Sequence, residues 1–175
     1  KEKCFAYTHQ VFCDKNGFVL AKTTTPGNVH DSVAFFEAYN TLNEKFKDQI
    51  KNVCLDAGYV NPTICREIIL NEHVPLMPYK RPMTGKGFFK KYEYAYDEYY
   101  DGYICPNNEV LSYSTTDKNG YKQYKSNSDK CAICPLRDYC TKSKNHQKII
   151  TRHIWEEYKE QANENRYTQN WKDNY

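Results

Sequence analysis

Residues 52–59, Asn-Val-Cys-Leu-Asp-Ala-Gly-Tyr, form a short apolar run that ends in a carboxylate and a glycine turn, and their flanks leave the first half of the chain few options. Before the run, residues 33–48 place Phe35, Phe36, Tyr39, Leu42 and Phe46 on one helical face, with Asp31 or Ser32 as the cap. After it, Asn61 and Pro62 supply a cap and a first helical residue, and Ile64, Cys65, Ile68 and Ile69 supply the buried stripe. Residues 73–77 (HVPLM) read as the next strand. Upstream, residues 4–12 (CFAYTHQVF) and 18–24 (FVLAKTT) flank the turn signal Asp14-Lys15-Asn16-Gly17, a β-hairpin pattern. The order through residue 80 is β-β-α-β-α-β, which predicts an α/β mixed sheet with flanking helices. Asp56 then falls at the carboxyl end of a buried strand, where open α/β sheets keep their chemistry. As a string Asp-Ala-Gly is weak evidence, since aspartate before a turn is a common structural choice.

From Tyr79 the character changes. Residues 79–91 (YKRPMTGKGFFKK) carry Lys80, Arg81, Lys86, Lys90 and Lys91 and no acid. Residues 92–101 (YEYAYDEYYD) alternate tyrosines with acids and read as a solvent-facing strand or hairpin arm. Short β segments with turns at 106–108 and 118–120 continue to Tyr124, so a boundary is placed near residue 82. Residues 151–169 are predicted helical, with Ile154, Trp155, Tyr158 and Ala162 in register. The expected division is 1–81, 82–150 and 151–175.

The eight cysteines separate by context. Cys4, Cys13, Cys54 and Cys65 sit in apolar or amphipathic runs and are predicted to be core thiols. Cys105, Cys131, Cys134 and Cys140 fall in polar, turn-rich sequence with the spacing C-x25-C-x2-C-x5-C. That partition favours a metal site in a reducing compartment over a disulfide framework. Structural zinc is the first expectation, and an iron–sulfur cluster is the alternative, because four cysteines suit both. His146 and His153 could each replace a cysteine, although surface or packing roles fit them better. A metal clip would let a small module fold on a thin core. Downstream, residues 141–153 (TKSKNHQKIITRH) add Lys142, Lys144, Lys148 and Arg152 without an acid. The two cationic segments could neutralise phosphates without sequence preference, or form solvated lysine faces. Tyr79, Phe88, Phe89 and Tyr92 are placed for base stacking, or for packing inside.

Bulk composition excludes some classes. The net charge of +3 is small, so any attraction to nucleic acid must come from local patches. A mean hydropathy of −0.92 is polar, but 17 tyrosines and 8 phenylalanines supply burial that aliphatic counts miss. No apolar run of about 18 residues exists and no signal pattern opens the chain, so it is expected to be soluble and cytoplasmic. A start at Lys1 rather than methionine suggests an excerpt of a longer polypeptide.

The stretches GFVLAKTTTPGNVHDS, LDAGYVNPTIC, YKRP with KGFFKKYEYAYDE, YICPNNEVLSY, GYKQYKSN, CAICPLRDYC and TKSKNHQKIITRHIWEEYKE resemble, in this order, the DDE transposases of the IS1182 group of bacterial insertion sequences. The resemblance spans essentially the whole chain. It implies an RNase H-like catalytic core, here partial, with a Cys-rich β subdomain inserted before the C-terminal helix. It makes Asp56 the second of three catalytic carboxylates that hold Mg²⁺ for phosphodiester cleavage and strand transfer. The first aspartate is then expected upstream of Lys1 and the final glutamate after Tyr175, so this chain alone is not expected to catalyse transposition. Asp14, in a hairpin turn, and Asp31, at a helix cap, are the candidates for the first aspartate inside the chain. Glu156 and Glu157 fit the linker before the catalytic glutamate better than the glutamate itself. His30 and Asp31 could order the site or contact DNA, with helix capping as the simpler role. The implied partners are DNA, as transposon ends and target, and a second copy in the transposition complex, with no membrane. Two other classes stay open: a non-catalytic zinc-dependent nucleic-acid-binding module, and a nuclease on the same core.

Overall fold

The computed structural model describes residues 5–175. In chain order the elements are β1 (Tyr7–Cys13), β2 (Val19–Pro26), α1 (Asp31–Phe46), β3 (Asn52–Cys54), α2 (Pro62–Leu70), β4 (Val74–Leu76), β5 (Ala95–Asp97), β6 (Gly102–Ile104), β7 (Val110–Thr116), β8 (Tyr121–Lys125), α3 (Ser128–Ala132), α4 (Arg137–Cys140), β9 (Ile149–His153), α5 (Glu156–Glu164) and α6 (Gln169–Asn174). The chain divides into two compact units. One comprises residues 1–80 and 157–175, the other residues 81–156.

In the first unit β1 and β2 form an antiparallel hairpin, and β3 and β4 a separate parallel pair. The hairpin turns because Asp14 Oδ1 accepts the N–H groups of Asn16 and Phe18, each at 2.9 Å, and Gly17 supplies a φ of +86°. Asp117-Lys118-Asn119-Gly120 repeats the same four residues in the second unit, where Asp117 Oδ1 holds Asn119 and Tyr121 in the same way. Asp14 therefore has a turn-forming job, and the hydrogen bond from the Phe18 N–H leads the causes that lower its pKa.

The helix cap lies one residue earlier than expected. The His30 side chain accepts from Ser32 N–H, and Asp31 begins α1 and accepts a 2.9 Å hydrogen bond from Gln10. Asn61 caps α2 as the sequence suggests, its Oδ1 taking the Ile64 N–H at 2.9 Å ahead of Pro62. Phe35, Tyr39, Leu42, Val53, Ile64, Cys65, Ile68 and Met77 form the core. Of the predicted core thiols only Cys65 is buried; Cys13 and Cys54 are exposed, and Cys4 lies outside the described residues. The pleat explains Cys54, because Val53 takes the inward position of β3 and its neighbour must point out.

A buried pair locks the core. His73 Nε2 lies 3.1 Å from the Lys47 carbonyl, which can only accept, so Nε2 carries the proton and Nδ1 accepts from the Tyr39 hydroxyl at 2.7 Å. Burial pushes the Tyr39 phenol up to about 12, which keeps it a donor. Tyr39→Phe leaves a buried nitrogen without its donor and is expected to cost about 1–3 kcal/mol, measured by urea unfolding.

The second unit is a five-stranded antiparallel sheet in the order β5-β6-β7-β8-β9. Tyr94, Tyr103, Leu111, Tyr124 and Ile150 form its core, so the tyrosine-rich arm expected in solvent is in part internal. Residues 151–153, read from sequence as the start of a helix, instead belong to β9, where Tyr124 pairs with Ile150 and Lys122 with Arg152. β-branched Ile149, Ile150 and Thr151 favour the strand, and α5 begins only at Glu156.

Candidate functional site

The first unit contains an unfilled position between its two strand pairs. β4 ends the sheet on one side: Pro75 has no N–H to offer, its carbonyl accepts from Asn165 Nδ2 at 3.2 Å, and Trp171 Nε1 bonds the Met77 carbonyl at 3.2 Å. On the other side, a cavity of about 700 Å³ is bounded by successive residues of β1, from Gln10 to Cys13, and of β3, from Asn52 to Cys54. Contact with successive rather than alternate residues means that both strands meet the cavity edge-on. Phe35 and Leu42 of α1 also line it, as do Asp14 and Asp56.

Asp56 is exposed and begins a short 3₁₀ turn, with Oδ1 accepting the Gly58 N–H at 2.7 Å. No hydrogen bond engages Oδ2 among the described residues. A Cβ on residue 58 would stand 2.9 Å from Asp56 Oδ1, so this approach needs glycine. Beside it, the Tyr59 hydroxyl donates to Gln10 Oε1, and Gln10 passes the connection to Asp31. Burial, then the charges of Asp31 and Asp56, raise the Tyr59 pKa. Burial and the charges of Asp56 and Cys54 act in the same sense on Tyr175. This Tyr59–Gln10–Asp31 chain was not legible beforehand, because a single glutamine on a strand has no local signature. One carboxylate suits an oxygen-seeking divalent ion. Among the described residues no three Cys, His, Asp or Glu side chains converge in a metal-holding group.

In the second unit Cys105, Cys131, Cys134 and Cys140 line a single cavity of about 290 Å³. The Glu109 N–H donates to Cys105 Sγ at 3.4 Å, Cys131 Sγ donates to Ser126 Oγ at 3.2 Å, and Tyr94 OH lies 3.2 Å from Cys140 Sγ. Burial raises the Cys140 thiol pKa, with the Tyr94 hydroxyl and the Lys148 ammonium opposing it. As a donor set the four thiols fit a thiophilic metal. His146 and His153 are not among the residues lining that cavity; His153 is buried, and its Nε2 lies 3.1 Å from the Asn119 carbonyl.

The cationic candidates divide. Lys86, Lys90, Lys142 and Lys144 are exposed, as are Arg81 and, in the first unit, Lys80. The two basic segments of the second unit meet where Phe89 N–H bonds the Tyr139 carbonyl at 2.8 Å and Lys142 Nζ lies 5.1 Å from the Phe88 ring. Lys91 is paired with Glu156 at 3.1 Å, and Lys148 bonds the Cys140 carbonyl. Arg152 is buried with its guanidinium 4.0 Å from the Tyr96 ring. Phe89 packs on the core, whereas Tyr92 is exposed beside Lys90. No described helix is long and apolar enough to cross a membrane.

No curated protein and no solved structure matches this chain. Residues 104–175, from the strand before Cys105 through α6, match the family model described as a transposase DDE domain, and that match supports a DDE transposase.

Proposed function

We propose that this chain is part of a DNA transposase of the IS1182 group, in which Asp56 is one of three carboxylates that hold Mg²⁺. The observation that carries the reading is the place of Asp56, at the end of β3 on the rim of a slot between two open strand edges. The family match on residues 104–175 supports it from the other half of the chain. When bound, paired divalent ions activate the attacking oxygen and stabilise the leaving oxygen of a phosphodiester. The protein's part is positional: Gly58 N–H fixes one oxygen of Asp56 and leaves the other to a ligand.

The slot has the shape for one extended strand, pairing with β1 on one side and β3 on the other and turning an apolar face to Phe35 and Leu42 of α1. The resemblance puts the first aspartate on such a strand, upstream of Lys1. Adding it would join the two pairs into a five-stranded mixed sheet, the RNase H-like core. Lys86, Lys90, Lys142 and Lys144 form the exposed basic surface that holds DNA through phosphates.

The test is a cleavage and joining assay of the full-length protein with Mg²⁺ and DNA carrying the element's ends. Cleaved ends joined to new DNA are expected. Cleavage without joining identifies a nuclease, and binding without either identifies a non-catalytic module. Gly58→Ala separates the site from the fold. The added methyl displaces the carboxylate and breaks the Oδ1 hydrogen bond, so unfolding should show a loss of only about 1 kcal/mol while cleavage falls sharply.

A further inference from the structure

We propose that the four-cysteine cavity holds a cubane iron–sulfur cluster of four irons and four sulfides rather than a single zinc ion. Charge does not separate the two occupants, because four thiolates around either a zinc ion or an oxidised cubane leave the same net charge. Size does. Zinc with four cysteines needs every sulfur about 2.3 Å from one point, so the sulfurs must almost touch one another. Here three of them are tied to different parts of the wall: Cys105 to the Glu109 amide, Cys131 to Ser126 and Cys140 to Tyr94. No three thiols converge on a common point, yet all four face the same 290 Å³ cavity. A cubane resolves that geometry, since its own sulfides fill the centre and its irons reach outward to thiolates on a wider tetrahedron.

The walls suit such an occupant. Leu111, Ile133 and Leu136, with Phe89, keep the interior apolar, and Lys148 and Arg137 line the same cavity as counter-charges. On assembly each thiol gives up its proton and forms one iron–sulfur bond. The Glu109 N–H, the Tyr94 hydroxyl and the Ser126 hydroxyl are then placed to donate to three of the sulfurs, an arrangement that tunes a cluster's potential. The inference does not depend on the role of Asp56, which lies in the other unit.

The experiment uses the 175-residue chain, purified anaerobically and reconstituted with sulfide and equal parts of ferrous and ferric iron, which together make the oxidised cubane without a further oxidant, in competition with Zn²⁺. Brown protein with about four irons and four acid-labile sulfides per chain is expected, with a Mössbauer spectrum of a cubane. Cys131→Ser with Cys134→Ser should remove most of the iron, while Cys13→Ser with Cys54→Ser should retain it. If the first pair fails to fold, the wild-type spectrum and stoichiometry decide. One zinc per chain without labile sulfide, two irons per chain, or no bound metal would each overturn the proposal.

Discussion

Asp56→Asn in the full-length protein is expected to lower strand cleavage by on the order of 10²–10³-fold or more, the cost of removing one preorganised charge-stabilising group. The substitution is nearly isosteric. Its amide oxygen can still accept the Gly58 N–H, so the turn at Ala57–Tyr59 should survive and unfolding should change little. The sign on DNA binding is informative. Removing a negative charge beside a phosphate can only help the counterion term, so affinity should hold or rise slightly while cleavage is lost. A parallel loss of both would mean that Asp56 acts through the fold. Retained cleavage would end the assignment of Asp56 as a catalytic carboxylate. Asp14→Asn provides the contrast. Asp14 lines the same slot, but its carboxylate is occupied by the turn it closes, as Asp117 is in the second unit. Weakening that turn should lower stability, with cleavage following only as far as the folded fraction does.

The sequence was most legible where local chemistry decides the outcome. Asp14 through Gly17 make a turn because a short carboxylate and a glycine do so in any context, and Asn61-Pro62 starts a helix for the same reason. The position of Asp56 at a strand end followed from the helical patterns on both sides. The gathering of four cysteines around one cavity followed from their shared polar context, although 25 residues separate the first from the second. Non-local features were not legible. Whether β1 and β3 are adjacent or flank a gap depends on pairing that no window of residues reports. Arg152 looked like a free cation because its charge is visible in the sequence and the Tyr96 ring beneath it is not. The tyrosine arm was misread for a related reason. Tyr94 and Tyr96 lie among acids as in a surface strand, but the sheet whose core Tyr94 joins and Tyr96 packs against is completed by β8 and β9, more than twenty residues further on. Residues 151–153 read as helical because Ile154, Trp155 and Tyr158 extend a helical register backwards, and the partner strand that claims them lies at Tyr121–Lys125.

Tyr124→Ala is expected to destabilise the second unit by about 3–5 kcal/mol, the range for deleting a fully buried aromatic ring. Tyr124 is 0% exposed, and its ring packs against Tyr103 at 5.2 Å, Tyr96 at 6.1 Å and Tyr113 at 6.2 Å. Its hydroxyl donates to Asp101 Oδ1 at 2.5 Å, where Tyr96 also donates at 2.8 Å, and Lys122 holds Oδ2 at 2.9 Å. Asp101 has a φ of +45°, so these three donors also hold a residue in a backbone conformation it rarely adopts. Tyr124→Phe isolates the hydroxyl. It keeps the ring and leaves Asp101 two of its three partners, so a loss of about 1 kcal/mol is expected. The pH dependence distinguishes this loss from simple repacking. The Tyr124 hydroxyl, ahead of Lys122 and Tyr96, lowers the Asp101 carboxyl to about 2. A depressed folded-state pKa contributes stability above the unfolded carboxylate value near 3.9, and that contribution is lost as pH falls through about 2. In Tyr124→Phe the folded-state pKa rises toward the unfolded value, so the variant's deficit should be full at neutral pH and narrow below pH 4. A deficit that stays constant from pH 7 to pH 2 would assign the effect to packing and remove Asp101 from the account. Urea unfolding of both variants across that range, followed by tyrosine fluorescence, makes the measurement.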